Sequence, residues 1–201
     1  MDMASLQEHF KSPDQSVRLK AALAAGTYPE SDYIPVLIHQ CAVESDFFVR
    51  DTLSWALMRH DRETVVASLI PELRSPIPQA RSQALHTLSK IGDKANYSLI
   101  TKEHLFDEDD SVASTAWRTA SVLVPEDKKN DLVKILVTQL GRGDGDTQFG
   151  LTRFLCTIGD PIVKPLEEAA KSDNENVRVH AEITLIRFKE LRLEFKKLQS
   201  K

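Results

Sequence analysis

The sequence is poor in the features that mark many specialised proteins. It holds two cysteines, Cys41 and Cys156, in 201 residues. That excludes a disulfide-dense scaffold and any multi-cysteine zinc module. No apolar run approaches the roughly 18 residues that cross a bilayer, so no membrane association is expected. Residues 1–20 are mixed and polar and do not read as a secretory leader, so a cytoplasmic location is expected. Seven glycines and 6% aromatic residues leave little material for a tight-turn β architecture. A net charge of −4 disfavours a generally basic nucleic-acid binder.

What is present is a period. Asp14-Gln-Ser-Val17-Arg18, Asp46-Phe-Phe-Val49-Arg50, Asp109-Asp-Ser-Val112 and Asn174-Glu-Asn-Val177-Arg178 share one register. Ala80-Arg81 and Thr147-Gln148 fall in the same frame. The anchors 17, 49, 80, 112, 147 and 177 are spaced by 32, 31, 32, 35 and 30 residues. After each anchor, apolar or small residues recur at +4, +7 or +8, and +11, one face of a helix. The Asp or Asn three before the anchor is placed to cap that helix.

A break follows each anchor helix, at Gly26, His60-Asp61, Gly92-Asp93 and Gly159-Asp160-Pro161. In the last of these, Gly ends one helix, Asp caps the next and Pro occupies its first turn. Second apolar helices are expected over Ile34–Cys41, Val65–Leu73, Leu132–Leu140 and Ile162–Ala169, with a kink at Pro71. A short helix over Leu6–Phe10 precedes the first repeat. The last helix runs on from Val177 with no Gly or Pro. Its 187–201 end is basic and reads as a solvated C-terminal cap.

This pattern resembles the short HEAT-like repeats, in particular the phycobilisome-lyase subtype. The Val-Arg pairs at 17–18, 49–50 and 177–178 carry the resemblance. So do the Ile-Gly-Asp triplets at 91–93 and 158–160 and the Ile-Pro-x-Leu runs at 34–37 and 70–73. It implies an all-α fold, a right-handed α-solenoid of about six two-helix repeats forming a single domain over 1–201. Arg18, Arg50, Arg81 and Arg178 are expected to pair with the anchor-preceding Asp residues of other repeats. Ala113 and Thr147-Gln148 depart from the pattern and should weaken that ladder.

In such a fold the anchor helices line a concave face. The helical period places +2, +5, +6 and +9 outward. Those columns gather Asp51, Trp55, His86, Trp117, Arg118, Phe149 and Arg153 as candidate partner-binding residues. Trp and Arg combine large contact area with directed hydrogen bonding and are enriched at binding hot spots.

Catalytic chemistry finds no support. His9, His39, His60, His86, His104 and His180 include no pair at i+3 or i+4, there is no Cys-x-x-Cys, and no metal is implied. The His-Glu dipeptides by which a HEAT-like hydroxylase family holds iron are absent. No Gly-x-Ser-x-Gly occurs. The Gly141–Asp146 segment lacks the Lys-Ser/Thr of a phosphate loop and the ligand pattern of a calcium loop. Neither catalytic residues nor a cofactor are expected.

The leading expectation is a non-catalytic adaptor that holds a protein segment in the groove. A second reading is a nucleic-acid binder. Phe47–Leu57 is similar to one helix of bacterial HEAT-like alkylpurine DNA glycosylases, which stack a lesion on aromatic faces. That family's catalytic residues are not matched position by position, and phosphate binding would need more cations. A bilin-lyase-like chaperone is the third reading, suggested by the repeat subtype.

Overall fold

The computed structural model describes residues 2–199. Among the described residues there are helices and turns and no strand. Contacts gather the chain into two compact units, Met1–Asp93 and Lys94–Lys201, where the sequence reads as one uninterrupted array.

The first unit contains α1 (Met3–Phe10), α2 (Gln15–Thr27), α3 (Tyr33–Val43), α4 (Phe47–Leu57), α5 (Arg62–Leu69) and α6 (Pro78–Ile91). The second contains α7 (Lys102–Leu105), α8 (Asp110–Leu123), α9 (Lys129–Leu136), α10 (Gly145–Ile158), α11 (Val163–Ala169) and α12 (Glu175–Gln199). The even-numbered helices are the anchor helices. Within each unit they pack side by side, α2 on α4 and α8 on α10, with α3 and α11 behind them.

Local chemistry explains where these helices start. Asp14, Asp46, Asp109 and Asp144 each accept a backbone N–H from the first turn of their own helix at 2.8–3.1 Å. Asn174 does the same for α12. Each cap satisfies a donor that helix geometry leaves without a partner. α6 has no capping side chain and instead begins with Pro78, whose missing N–H costs nothing at that position. Pro71 ends α5 at Leu69, and the chain resumes as a short 3₁₀ turn over Glu72–Arg74. Asp160 does not cap α11 as its sequence position suggests; its carboxylate takes Arg192 at 2.8 Å.

The anchor arginines do something simpler than form a ladder. Arg18, Arg50, Arg81 and Arg178 each donate Nη1 to the carbonyl six residues earlier, at Ser12, Glu44, Ser75 and Ser172, over 2.8–2.9 Å. Each guanidinium ties the incoming loop to the helix that follows it. The Asp residues are already committed to capping, which is why the expected Asp–Arg ladder does not form. Arg18 also has a carboxylate partner across repeats, and that partner is Glu44 rather than an anchor Asp.

The two departures from the pattern are compensated, not weakened. Ala113 has no side chain to reach its loop, and the equivalent carbonyl, Asp107, receives Nη2 of Arg142 from the following repeat. Arg142 also donates Nε to Asp110 at 2.8 Å. Gln148 stands where an arginine would, and its amide reaches the carbonyls of Gly143 and Gly141 at 3.2 and 3.4 Å.

The cores are aliphatic and small-residue rich. Leu37, Val49, Leu53, Leu57, Leu85 and Leu88 are fully buried in the first unit, and Val112, Leu123, Leu132, Leu136, Leu155 and Leu166 in the second. A buried polar chain also stabilises the second. Gly141 N–H donates to His180 Nδ1 at 3.0 Å, His180 Nε2 lies 3.1 Å from Thr152 Oγ1, and Thr152 and Thr184 hydroxyls meet at 2.8 Å. Gly141 has φ of +80° and lies against the backbone of Asn176 and Val177, a close approach that favours glycine.

Candidate functional site

The seven candidate residues divide between the units. Asp51, Trp55 and His86 lie on α4 and α6 of the first. Trp117, Arg118, Phe149 and Arg153 lie on α8 and α10 of the second.

On α4 the outward stripe is Phe48, Asp51, Trp55 and Met58, at helical spacings of three and four residues. Trp55 is half-buried because its ring packs on the backbone of α2 at Gly26. A Cβ on Gly26 would lie 2.3 Å from Trp55 Cζ3 and 2.9 Å from Ala56 Cα. Only glycine allows α2 and α4 to approach that closely. Exposed Leu23 of α2 and half-buried His86 of α6 occupy the same column as Trp55. Asp51 is exposed and lies 3.7 Å from Lys90 Nζ. Exposed Phe47 and Phe48 stack edge to face, with centroids 5.6 Å apart, at the start of the stripe.

In the second unit Trp117 is not a surface residue. It is 0% exposed, and its indole N–H donates to the Leu105 carbonyl at 2.9 Å. The Arg142 guanidinium lies 5.7 Å from the ring centroid. The +5 column is buried in the first five repeats, where Ala22, Ser54, Leu85, Trp117 and Thr152 are all below 4% exposed, and opens only at Glu182 of the last. An anchor helix packs against lateral neighbours as well as its own second helix, so its buried arc exceeds half the circumference. A tryptophan on that flank belongs to the core, and Trp117 presents nothing to a partner.

The +6 column does face outward. Arg118 is half-buried and Arg153 exposed, on consecutive packed helices. Among the described residues, neither guanidinium has a hydrogen-bond or ion-pair partner. Phe149, four residues before Arg153, is 60% exposed, and Val122, four residues after Arg118, is 44% exposed. Apolar surface thus sits beside two uncompensated cations. Val122 escapes a search limited to +2, +5, +6 and +9, although it is one helical turn from Arg118.

A cleft of about 870 Å³ in the first unit was not foreseen from the sequence. It runs between α1 and α3, past Lys11, Pro13, Pro35 and His39, and the Arg18–Glu44 pair forms part of its wall. Both Glu44 oxygens accept from Arg18 at 2.8 Å, and Gln40 and the Asp46 N–H add 2.8 and 3.0 Å bonds. Burial pushes the Glu44 carboxyl up, but these four donors outweigh it and hold the group down at about 2. The pair is saturated and offers no free acid or base. The lining of the cleft comes from three helices and two loops, so no linear motif announces it.

Neither cysteine is activated as a nucleophile. Burial pushes the Cys41 thiol up to about 12 and also raises Cys156. A thiol held protonated is inert. Among the described residues, no group of three His, Cys, Asp or Glu side chains could hold a metal ion. No described helix is long and apolar enough to cross a membrane.

No protein-family model matches the chain, and no curated protein matches its sequence. Solved structures do match its fold. An engineered protein aligns over 94% of this chain and 98% of its own at 18% identity, with a TM-score of 0.50. The complex of CpcE and CpcF of phycocyanin lyase from Nostoc sp. PCC7120 aligns over 90% of this chain and 74% of its own, also at 18% identity and a TM-score of 0.50. At that identity the likeness concerns the fold alone. The chain has an all-α, helical-repeat solenoid fold similar to the folds of these structures.

Proposed function

We propose that the chain is a non-catalytic protein-interaction module of the short HEAT-like kind, acting in the cytoplasm and binding a segment of another protein on its anchor-helix faces. The observation that carries this is the pairing of Arg118 and Arg153 on adjacent helices, without carboxylate partners, beside exposed Phe149 and Val122. A guanidinium kept free of acids at a surface is available for bidentate recognition of a carboxylate. An apolar neighbour supplies the desolvated contact that makes such a pair effective. The partner segment is therefore one that carries apolar and acidic side chains together. The Phe48, Trp55 and Met58 stripe offers a second, more apolar contact on the first unit. Both cysteines stand unpaired, which accords with a reducing compartment.

The nucleic-acid reading has fewer supports. Of the three residues it would use on the second unit, Trp117, Arg118 and Arg153, the tryptophan is in the core. On the first unit, Lys90 is engaged by Asp51. Two guanidiniums alone supply few of the phosphate contacts on which such binding depends.

The test is affinity capture from native lysate with the wild type, Arg118→Ala/Arg153→Ala and Trp55→Ala, each with and without nuclease. Helical circular dichroism should be the same for all three. A protein retained by the wild type, lost from the double variant and indifferent to nuclease supports the proposal. Material lost on nuclease treatment supports the nucleic-acid reading instead. An identical captured set for all three proteins overturns both.

A further inference from the structure

Helix α12 carries a second pattern that its own unit does not use. His180, Ala181, Thr184 and Phe188 face inward, against α10 and α11. On the opposite side Val179, Ile183, Ile186 and Leu193 are 43, 54, 59 and 58% exposed. Their spacings are four, three and seven residues. That is one seam with a 3.5-residue period, the repeat by which two helices pack along their length. Residues 187–199 continue α12 as an exposed, basic end, and exposed Leu191, Leu193, Phe195 and Leu198 lie among its charges. Ser200 and Lys201 of the expected 187–201 cap lie outside the described residues.

Beside this seam runs a row of four charges placed every seven residues: Glu175, Glu182, Lys189 and Lys196. All four are exposed, and among the described residues none has an ion-pair partner. The sign reverses once, at the middle of the row. A row that reads acid, acid, base, base is complementary to itself when turned end for end. Pairing two copies antiparallel about the centre sets Glu182 against Lys189 and Glu175 against Lys196. The same register sets Ile183 against Ile186 in both halves, so that four isoleucines meet at the two-fold axis. It brings Val179 beside Glu190, whose carboxylate is already held by Arg187 at 3.2 Å, and Leu193 beside Asn176. One alignment therefore satisfies the apolar seam and the charge row together. In parallel alignment Glu182 would face Arg187 of the other copy, a guanidinium already held by Glu190, and Lys189 would face Glu194, so that Lys189→Glu could not rescue Glu182→Lys.

We infer that α12 is a self-association helix: two copies of this chain pair antiparallel through Val179, Ile183, Ile186 and Leu193, with register set by Glu175, Glu182, Lys189 and Lys196. The interface is isologous, as two-fold symmetry requires, because each contact occurs twice. It lies on α12 and leaves Arg118 and Arg153 on other helices, so it is independent of the partner site proposed above.

The experiment is sedimentation equilibrium of the full chain across micromolar concentrations in low salt. The expected species is a dimer of the 22.6 kDa chain. Ile183→Asp/Ile186→Asp should give monomer with unchanged helical circular dichroism, since both side chains are exposed. Glu182→Lys places like charges opposite each other and should weaken the dimer by about tenfold or more. Adding Lys189→Glu to Glu182→Lys restores opposite signs and should return the affinity to near the wild-type value. A wild type that stays monomeric throughout overturns the inference. So does a dimer that is indifferent to the isoleucine pair, or one that Glu182→Lys weakens and Lys189→Glu fails to rescue. The first would leave the face to another protein or to further chain, the second would put the interface elsewhere, and the third would exclude the antiparallel register. Arg118→Ala/Arg153→Ala should dimerise like the wild type, which separates this outcome from that of the partner-binding test.

Discussion

The Arg18 guanidinium holds the Glu44 carboxylate through two parallel bonds of 2.8 Å, joining the first turn of α2 to the loop before α4. Glu44 is 2% exposed, so its charge depends on this partner. The pair links two repeats that are otherwise held together by apolar contact.

Acid stability should report on that pair. The folded Glu44 carboxyl titrates at about 2, below its ordinary 4.5. The unfolded chain therefore binds the proton first, and the stabilisation is present above pH 4.5 and lost as pH falls towards 2. Its size is on the order of 3 kcal/mol. Arg18→Ala leaves a buried carboxylate without its cation and should cost roughly 3 kcal/mol at pH 7. Urea unfolding at pH 7 and pH 3 checks both: Arg18→Ala should lose most of the difference between the two pH values.

Arg142 should behave as the missing arginine of the fourth repeat. It occupies the Asp107 carbonyl that an arginine at 113 would reach. Arg142→Ala is expected to destabilise by about 1–3 kcal/mol, because a buried carbonyl and Asp110 lose a charged donor. Ala113→Arg alone should also destabilise, since two guanidiniums then compete for one carbonyl. The double variant should recover most of the loss. Additive losses in thermal melting would show that the two positions do not share a role.

Trp117 and Trp55 should separate cleanly. Trp117→Ala empties a fully buried site and strands the Leu105 carbonyl, at an expected cost of roughly 3–5 kcal/mol. Trp55→Ala removes a half-exposed ring and should cost about 1–2 kcal/mol. A chemical-denaturation midpoint that falls equally for both would contradict the burial of the +5 column.

His180 should impose a second pH dependence. Burial holds its imidazole below the ordinary 6.5, and its Nδ1 accepts the Gly141 N–H in the neutral form. A depressed imidazole means the unfolded chain takes the proton more readily, so stability is full above pH 6.5 and falls as pH drops below it. Melting temperature measured between pH 7.5 and 5.5 should decline for the wild type. His180→Gln should be less stable at pH 7.5 by about 1–2 kcal/mol and show a flatter profile.

Much of this molecule is readable from its residues in order. The anchors at 17, 49, 80, 112, 147 and 177 each begin or follow the first turn of a helix, and the capping Asp and Asn positions cap as expected, because a cap is an interaction across three residues. Pro71 breaks its helix for an equally local reason. The flank occupied by +5 was not readable. Small residues such as Ala22 and Ser54 fit either a surface or a tight helix contact, and the 3.6-residue period does not say how many neighbours a helix has. Arg142 reaching Asp107 was not readable either, since the two are thirty-five residues apart and joined only when α8 and α10 pack.

By itself, then, the sequence determined the period, the starts of the anchor helices, their Asp and Asn caps and the outward direction of Arg118 and Arg153. Each of these follows from contacts within a turn or two of one helix. Only the tertiary structure decided that Trp117 is core, that Glu44 is the partner of Arg18, that Arg142 replaces an absent arginine, and that α12 leaves Ile183, Ile186 and Leu193 uncovered. Burial belongs to pairs of helices rather than to single ones, and a pair is defined only once the repeats have stacked.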